Sequence, residues 1–180
     1  MARFNGEEPG SAVAALLKCC ASRRWAERLA EHRPYPDLDA LLAAADEASY
    51  DLSPTDLSEA LAEEPAARPT SGAVPGAALT ALAAAHAAYE SRFGHSFVIC
   101  LSKYRPAEHL DEILAGVHTR LAHERDVEQD VAAEELRGLA RSRLAQLMAD
   151  PPDGMSVAAV TAGAPGPHTT RPGDSPSVPL

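Results

Sequence analysis

The chain has 180 residues, 46% hydrophobic and 4% aromatic, with 26 acidic against 16 basic side chains for a formal charge of −10. That length fits one core of ordinary size, and that charge excludes a general phosphate-backbone binder, so no nucleic-acid partner is expected. Abundant alanine and leucine with few aromatics suit helices packed through small side chains rather than a sheet of β-branched residues, so the expected fold is all-α, a single compact domain of about seven helices.

After Pro9, SAVAALLKCC reads as a first helix, and Ser22 can cap a second, RRWAERLAEHR, which stops at Pro34. Asp37 caps LDALLAAADEASY, with Leu38, Leu41, Leu42 and Ala45 on one face. Ser53 and Pro54 start a fourth helix, because proline is tolerated in a first turn, where its missing N–H has no partner to lose. A fifth, GAALTALAAAHAAYESRFG, carries Leu79, Leu82, His86, Tyr89 and Phe93 at spacings of three and four and ends at Gly94. SFVICLS, 96–102, is too short for another such helix and reads as an extended segment threading the core, able to set backbone N–H groups beside a pocket.

Two helices follow: PAEHLDEILAGVHTRLA, with Leu110, Ile113, Leu114, Val117 and Leu121 inward, and a longer one from about Asp126 to Ala149, where Leu136, Leu139, Arg143 and Leu147 share a face. From Pro151 the chain holds seven prolines and four glycines in thirty residues without periodicity, too little apolar surface to offset ordering. The expected organisation is a helical domain over 1–150 and a disordered Pro/Gly/Ser-rich tail over 151–180.

Cys19, Cys20 and Cys100 form no CxxC pair and leave an odd count, which suits free thiols in a reducing compartment. No run of 18 apolar residues occurs, and MARFNGEEPG lacks the basic and apolar regions of a signal peptide, so a cytoplasmic protein without membrane contact is expected. His118 and His123 are five apart, off a common helix face, and no HExxH is present, so no metal is expected. Glycine-rich phosphate loops and GxSxG are absent as well.

Three polar residues fall on apolar faces: Glu64, seven residues after Leu57 and three after Leu61, His86 and Arg143. Removing an ionised carboxylate or guanidinium from water costs several kcal/mol, roughly, unless it is paired or reaches a wet cavity. Either Glu64 and Arg143 pair with each other or both line a pocket. A glutamate at a helix end can also snorkel outward, and a lone histidine on an apolar face is more often a satisfied core residue than a catalyst.

The segments FN, CCASRRWAERLAEHRPY, DLDALLAAADEA, LSPTDLSEAL, HAAYESRFGHSFVIC and LARSRLAQL, in that order over residues 4 to 149, resemble the 2-oxo-4-hydroxy-4-carboxy-5-ureidoimidazoline (OHCU) decarboxylase family. CC-x-S-x-x-W and Y-E-x-x-F-G are its most distinctive motifs here. The resemblance implies an all-α homodimer and a lyase of uric acid degradation that uses no cofactor. Such enzymes remove the C4 carboxylate of OHCU and add a proton to one face, giving (S)-allantoin. Electrons left by departing carbon dioxide can move into the neighbouring C=N bond, so the protein has to supply orientation and a placed proton donor.

The family's H-P-R-I-G-like segment, whose histidine is the expected acid/base residue, reads Glu64, Pro65, Ala66, Ala67 here. The downstream glutamate of the family is missing from ARPTSGAVPGAAL, which marks the chain as a divergent member. By resemblance the substrate-binding residues are Pro65, Phe97, Val98, Ile99 and Arg143, the last in R-L-x-x-L, and the candidates for proton transfer are Glu64 and His86. The expected ligand is a small ureide or purine-derived carboxylate. Three readings stay open: an OHCU decarboxylase, a catalytically silent paralogue serving as a binding or structural subunit, and a small-anion binder. In the second, Glu64 fills the vacated histidine position and offers Arg143 the carboxylate a substrate would bring.

Overall fold

A computed structural model describes residues 1–70 and 74–149, so the tail expected over 151–180 lies outside the described residues. Within them the chain forms eight α-helices and no strand: α1 (Ala2–Gly6), α2 (Pro9–Leu17), α3 (Arg23–Glu31), α4 (Leu38–Tyr50), α5 (Pro54–Glu63), α6 (Gly76–Phe93), α7 (His109–Arg120) and α8 (Arg125–Ala149). The helix beyond the expected seven is α1, a single turn whose Phe4 is buried.

Helix starts follow the capping chemistry. The Trp25 N–H donates to Ser22 Oγ, the Ala40 N–H to Asp37 Oδ1, and Ser53 and Asp56 satisfy each other's backbone N–H groups in a reciprocal box at the head of α5. Gly94 closes α6 in the left-handed region at φ 86°, where a side chain would be strained. Two expected boundaries shift. Cys19 and Cys20 lie beyond α2, and Pro106–Glu108 form a single 3-10 turn ahead of α7.

Two apolar clusters hold the helices. The larger joins α1 to α5 with α8 around Trp25, Leu29, Leu41, Leu57, Leu136 and Leu144, and the smaller joins α6 and α7 through Leu82, Tyr89, Ile113 and Val117. The segment after Gly94 runs between them, with Phe97 in the smaller cluster and Val98 in the larger. On α8 the fully buried row is Ala132, Leu136, Ala140 and Leu144, while Leu139 and Leu147 pack at its edge. Arg143 therefore flanks the buried row rather than interrupting it. Leu79, expected inward on α6, is 50% exposed, because it sits in the first turn, one turn ahead of the buried Leu82.

A buried ion pair fastens the smaller cluster to α8. Arg120 donates to Glu128 Oε1 through Nε at 2.8 Å, to the Val98 carbonyl at 2.7 Å and to the Tyr89 hydroxyl at 3.1 Å. Glu128 Oε1 also accepts from the Tyr89 hydroxyl, and Oε2 lies 2.9 Å from His123 Nδ1. Every strong acceptor of the carboxylate is thus engaged, which is what lets a fully buried glutamate persist. Burial pushes its carboxyl up, but the bonds from Arg120, Tyr89 and His123 outweigh it and hold Glu128 below the usual carboxylate range.

Candidate functional site

A cavity of about 680 Å³ opens between the stretch after α5, the threading segment and α8. Glu64, Pro65, Ala66, Ala67, Arg68 and Thr70 supply one wall. Val98 to Ser102 supply another, and Leu139, Ser142, Arg143 and Gln146 a third, with His109 from the start of α7 completing it.

The walls are fixed by backbone bonds that leave little slack. The Ala67 N–H donates to the Phe97 carbonyl at 3.0 Å, so the chain after α5 is tied to the threading segment. The Cys100 N–H donates to Glu135 Oε2 at 2.7 Å and Arg120 takes the Val98 carbonyl, which anchors the same segment to α8 and α7. Gly138 lets Cys100 approach so closely that an added Cβ would lie 3.0 Å from Cys100 Cβ.

Glu64 is the C-cap of α5, with extended backbone at φ −76°, ψ 128°, rather than part of the last turn. Leaving the helix there swings the carboxylate toward α8, where Oε1 accepts from Arg143 Nη1 at 2.7 Å and Oε2 from Nη2 at 2.8 Å. This fork-to-fork geometry is the strongest arrangement available to an arginine and a carboxylate. Arg143 Nη1 also donates to the Cys19 carbonyl at 3.1 Å, beyond the end of α2. The pair raises the guanidinium's already high proton affinity, with the Glu64 bonds outweighing burial. Glu64 does not snorkel, since only 5% of its side chain is exposed against 31% for Arg143.

The other expected site residues divide. Pro65, Val98 and Ile99 line the cavity with Arg143. Phe97 does not: it is fully buried behind the wall and contributes its carbonyl to the tie with Ala67. His86 also lies off the cavity lining, its ring stacked on Phe97 with centroids 6.1 Å apart and its Nε2 buried without a hydrogen-bond partner among the described residues. Desolvation there, with a smaller push from Arg68, holds the imidazole below its ordinary value.

Two groups in the cavity were not singled out from the sequence. Thr70 Oγ1 and His109 Nδ1 lie 2.9 Å apart, and His109 Nε2 faces the Tyr104 carbonyl at 3.3 Å. The periodicity held a signal for His109: the buried positions of α7 are His109, Ile113, Val117 and Arg120, one helical stripe with polar residues at both ends. Extending the α8 row one turn toward its start would have reached Glu128 in the same way.

Cys19 and Cys20 are buried behind Arg143, and burial pushes both thiols up to about 11, a setting for packing rather than nucleophilic attack. Among the described residues no group of three or more His, Cys, Asp or Glu side chains is placed to hold a metal ion, and no helix is long and apolar enough to cross a membrane. What the cavity can do is hold a carboxylate at Arg143, present backbone polar groups from 98–102 and supply a hydroxyl and an imidazole opposite.

The family model for OHCU decarboxylase matches residues 5–145. No curated protein matches the chain. Among solved structures, the chain is similar to an OHCU decarboxylase crystallised in the presence of (S)-allantoin, at 24% identity and a TM-score of 0.66, over 80% of this chain and 100% of that one. It is also similar to (S)-allantoin synthase, at 19% identity and a TM-score of 0.64, over 80% of this chain. The chain spans about half of that protein, 52% of its length. Both likenesses establish the helical fold.

Proposed function

Because the chain belongs to the OHCU decarboxylase family, we propose that its cavity receives OHCU and releases carbon dioxide from it in uric acid degradation, with Arg143 as the carboxylate anchor. The observation that carries this reading is the fork-to-fork Glu64–Arg143 pair. A guanidinium that already grips a carboxylate across both terminal nitrogens, at the wall of a cavity, is preorganised for a substrate carboxylate of the same shape. Incoming OHCU takes that seat by exchange, and Glu64 swings off Arg143 as it does so. The exchange swaps one carboxylate for another, so the guanidinium never stands unpaired.

Pro65, Val98 and Ile99 form the surfaces against which the ureide ring is oriented. Loss of carbon dioxide leaves an electron pair that spreads into the adjacent C=N bond, and a proton delivered from one wall then fixes the configuration as (S)-allantoin. The chemistry asks for binding, water exclusion and one proton, and no cofactor enters it. A homodimer in the cytoplasm belongs to the same proposal, and sedimentation of the purified chain tests its oligomeric part.

The test generates OHCU in place from urate and follows (S)-allantoin by circular dichroism against the spontaneous background. Acceleration with a single handedness, lost in Arg143→Ala, supports the reading. A second reading draws on the same pair: with Glu64 permanently seated and no imidazole at position 64, the protein is a silent paralogue whose cavity is filled from within. A folded protein that leaves the background rate unchanged and binds no allantoin-like ligand favours that alternative.

A further inference from the structure

We infer that Thr70 and His109 form the proton relay of this cavity, taking over the task of the imidazole that the chain lacks at position 64; the inference rests on the decarboxylase reading above. His109 is 5% exposed, lines the same cavity as Arg143 and comes from a different wall. Its two ring nitrogens have distinct partners, the Thr70 hydroxyl at Nδ1 and the Tyr104 carbonyl at Nε2.

Those partners fix the chemistry. A carbonyl can only accept, so Nε2 carries a hydrogen in every protonation state. In the neutral ring Nδ1 is then the acceptor, and the Thr70 hydroxyl points its hydrogen at His109. In the imidazolium Nδ1–H becomes the donor, Thr70 Oγ1 accepts, and the hydroxyl hydrogen is turned away from the ring. Thr70 is exposed and lines the cavity, so the freed hydrogen faces the ligand space. Protonating His109 therefore converts Thr70 from a donor to the ring into a donor to the substrate.

The balance is simple. The C–C bond to the carboxylate breaks and its electrons enter the adjacent C=N bond. The Thr70 hydroxyl hydrogen then passes to the ring carbon while Nδ1–H passes to Thr70 Oγ1. His109 ends neutral and regains its proton from solvent, and no oxidant or reductant is needed. Thr70 touches the reacting atoms and His109 acts through it. Glu64, Arg68, Cys100 and Arg143 share the cavity lining with the imidazole, and Tyr104 and Glu108 lie beside it.

The experiment compares wild type, His109→Gln, Thr70→Val and Thr70→Ser in the OHCU assay, with thermal unfolding of each to show that it folds. The expected result is a drop in kcat on the order of 100-fold for His109→Gln and Thr70→Val with KM held, and near-complete retention in Thr70→Ser. Folded His109→Gln or Thr70→Val with wild-type kcat and the same handedness of product overturns the relay while leaving the decarboxylase standing. Wild type without any turnover overturns the decarboxylase reading, and the relay falls with it.

Discussion

The Glu64 carboxylate caps both terminal nitrogens of Arg143, at 2.7 and 2.8 Å, from a position just past the end of α5. Among the described residues Arg143 is the partner of the Glu64 carboxylate, while the guanidinium has Glu64 and, through Nη1, the Cys19 carbonyl to offset its removal from water. Arg143→Ala strands a carboxylate that is almost wholly buried and should cost about 2 kcal/mol, less than the loss of a fully enclosed pair because the guanidinium is partly wet. Glu64→Ala leaves that wetter partner behind and should cost about 1 kcal/mol. The double variant should be more stable than the sum of the two losses predicts, read by urea unfolding in a double-mutant cycle. Additive losses would mean that the pair is not coupled.

Glu128 presents the enclosed counterpart. Its carboxylate is fully buried and takes bonds from Arg120, Tyr89 and His123, so Glu128→Leu leaves the Arg120 guanidinium uncompensated among Phe97, Tyr89 and Val98. A loss of about 3–5 kcal/mol is expected, with both the α6–α7 cluster and the threading segment loosened. The sign with pH follows from the direction of the shift. A carboxyl held below the ordinary 4.5 contributes stability above that value and loses it as pH falls through its lower folded-state value. The melting temperature of the wild type should therefore fall steeply on acidification below about pH 4.5, and a Glu128→Gln variant should lack that component.

The extent to which this arrangement was legible in the sequence can be seen on α5, α7 and α8. Capping residues Ser22, Asp37 and Ser53 marked helix starts because cap chemistry is local, and the pairing of Glu64 with Arg143 could be posed because both interrupt otherwise apolar patterns. His109 and Arg120 escaped because the face read on α7, Leu110, Ile113, Leu114, Val117 and Leu121, took in apolar residues alone, whereas the buried line through Ile113 and Val117 ends in a polar residue on either side. Thr70 carries no periodic signal at all. It lies in a loop, and its meeting with His109 depends on where the chain after α5 is tied, by Ala67 to Phe97, a long-range bond that no local pattern encodes.

His86 should behave as a liability of acid pH rather than as a catalyst. Its imidazole is held below its ordinary 6.5, chiefly by burial, and Nε2 has no partner among the described residues, so charging it in the folded state is disfavoured. The unfolded chain then binds the proton more readily, and stability is lost as pH falls below about 6.5. His86→Phe, which keeps a ring against Phe97, should reduce the fall in melting temperature between about pH 7 and 5, while leaving decarboxylation untouched because position 86 lies off the cavity lining. A variant with lost turnover and intact folding would return His86 to the chemistry.

Gly138 links packing to the cavity most directly. In the middle of α8 an alanine would ordinarily be preferred by about 1 kcal/mol. Here the added Cβ would meet Cys100 Cβ at 3.0 Å and Sγ at 3.1 Å. Cys100 cannot readily give way, because its N–H is held by Glu135 one turn earlier on the same helix, so the contact and the tether act against each other. Overpacking of this kind costs about 1–3 kcal/mol and should outweigh the helical gain, leaving Gly138→Ala less stable by about 1 kcal/mol. The strain has an outlet through the cavity wall, since Cys100 and its neighbours Ile99 and Leu101 all line it. If the cavity works as the proposed decarboxylase site, Gly138→Ala should therefore raise KM for OHCU more than it lowers kcat, because Arg143, further along α8, keeps its own hold on Glu64. Cys100→Ala in the same background removes the sulfur and with it the 3.1 Å contact, while the Cβ contact at 3.0 Å remains. It should restore part of both the stability and the affinity, which a purely helical effect of the glycine would not allow.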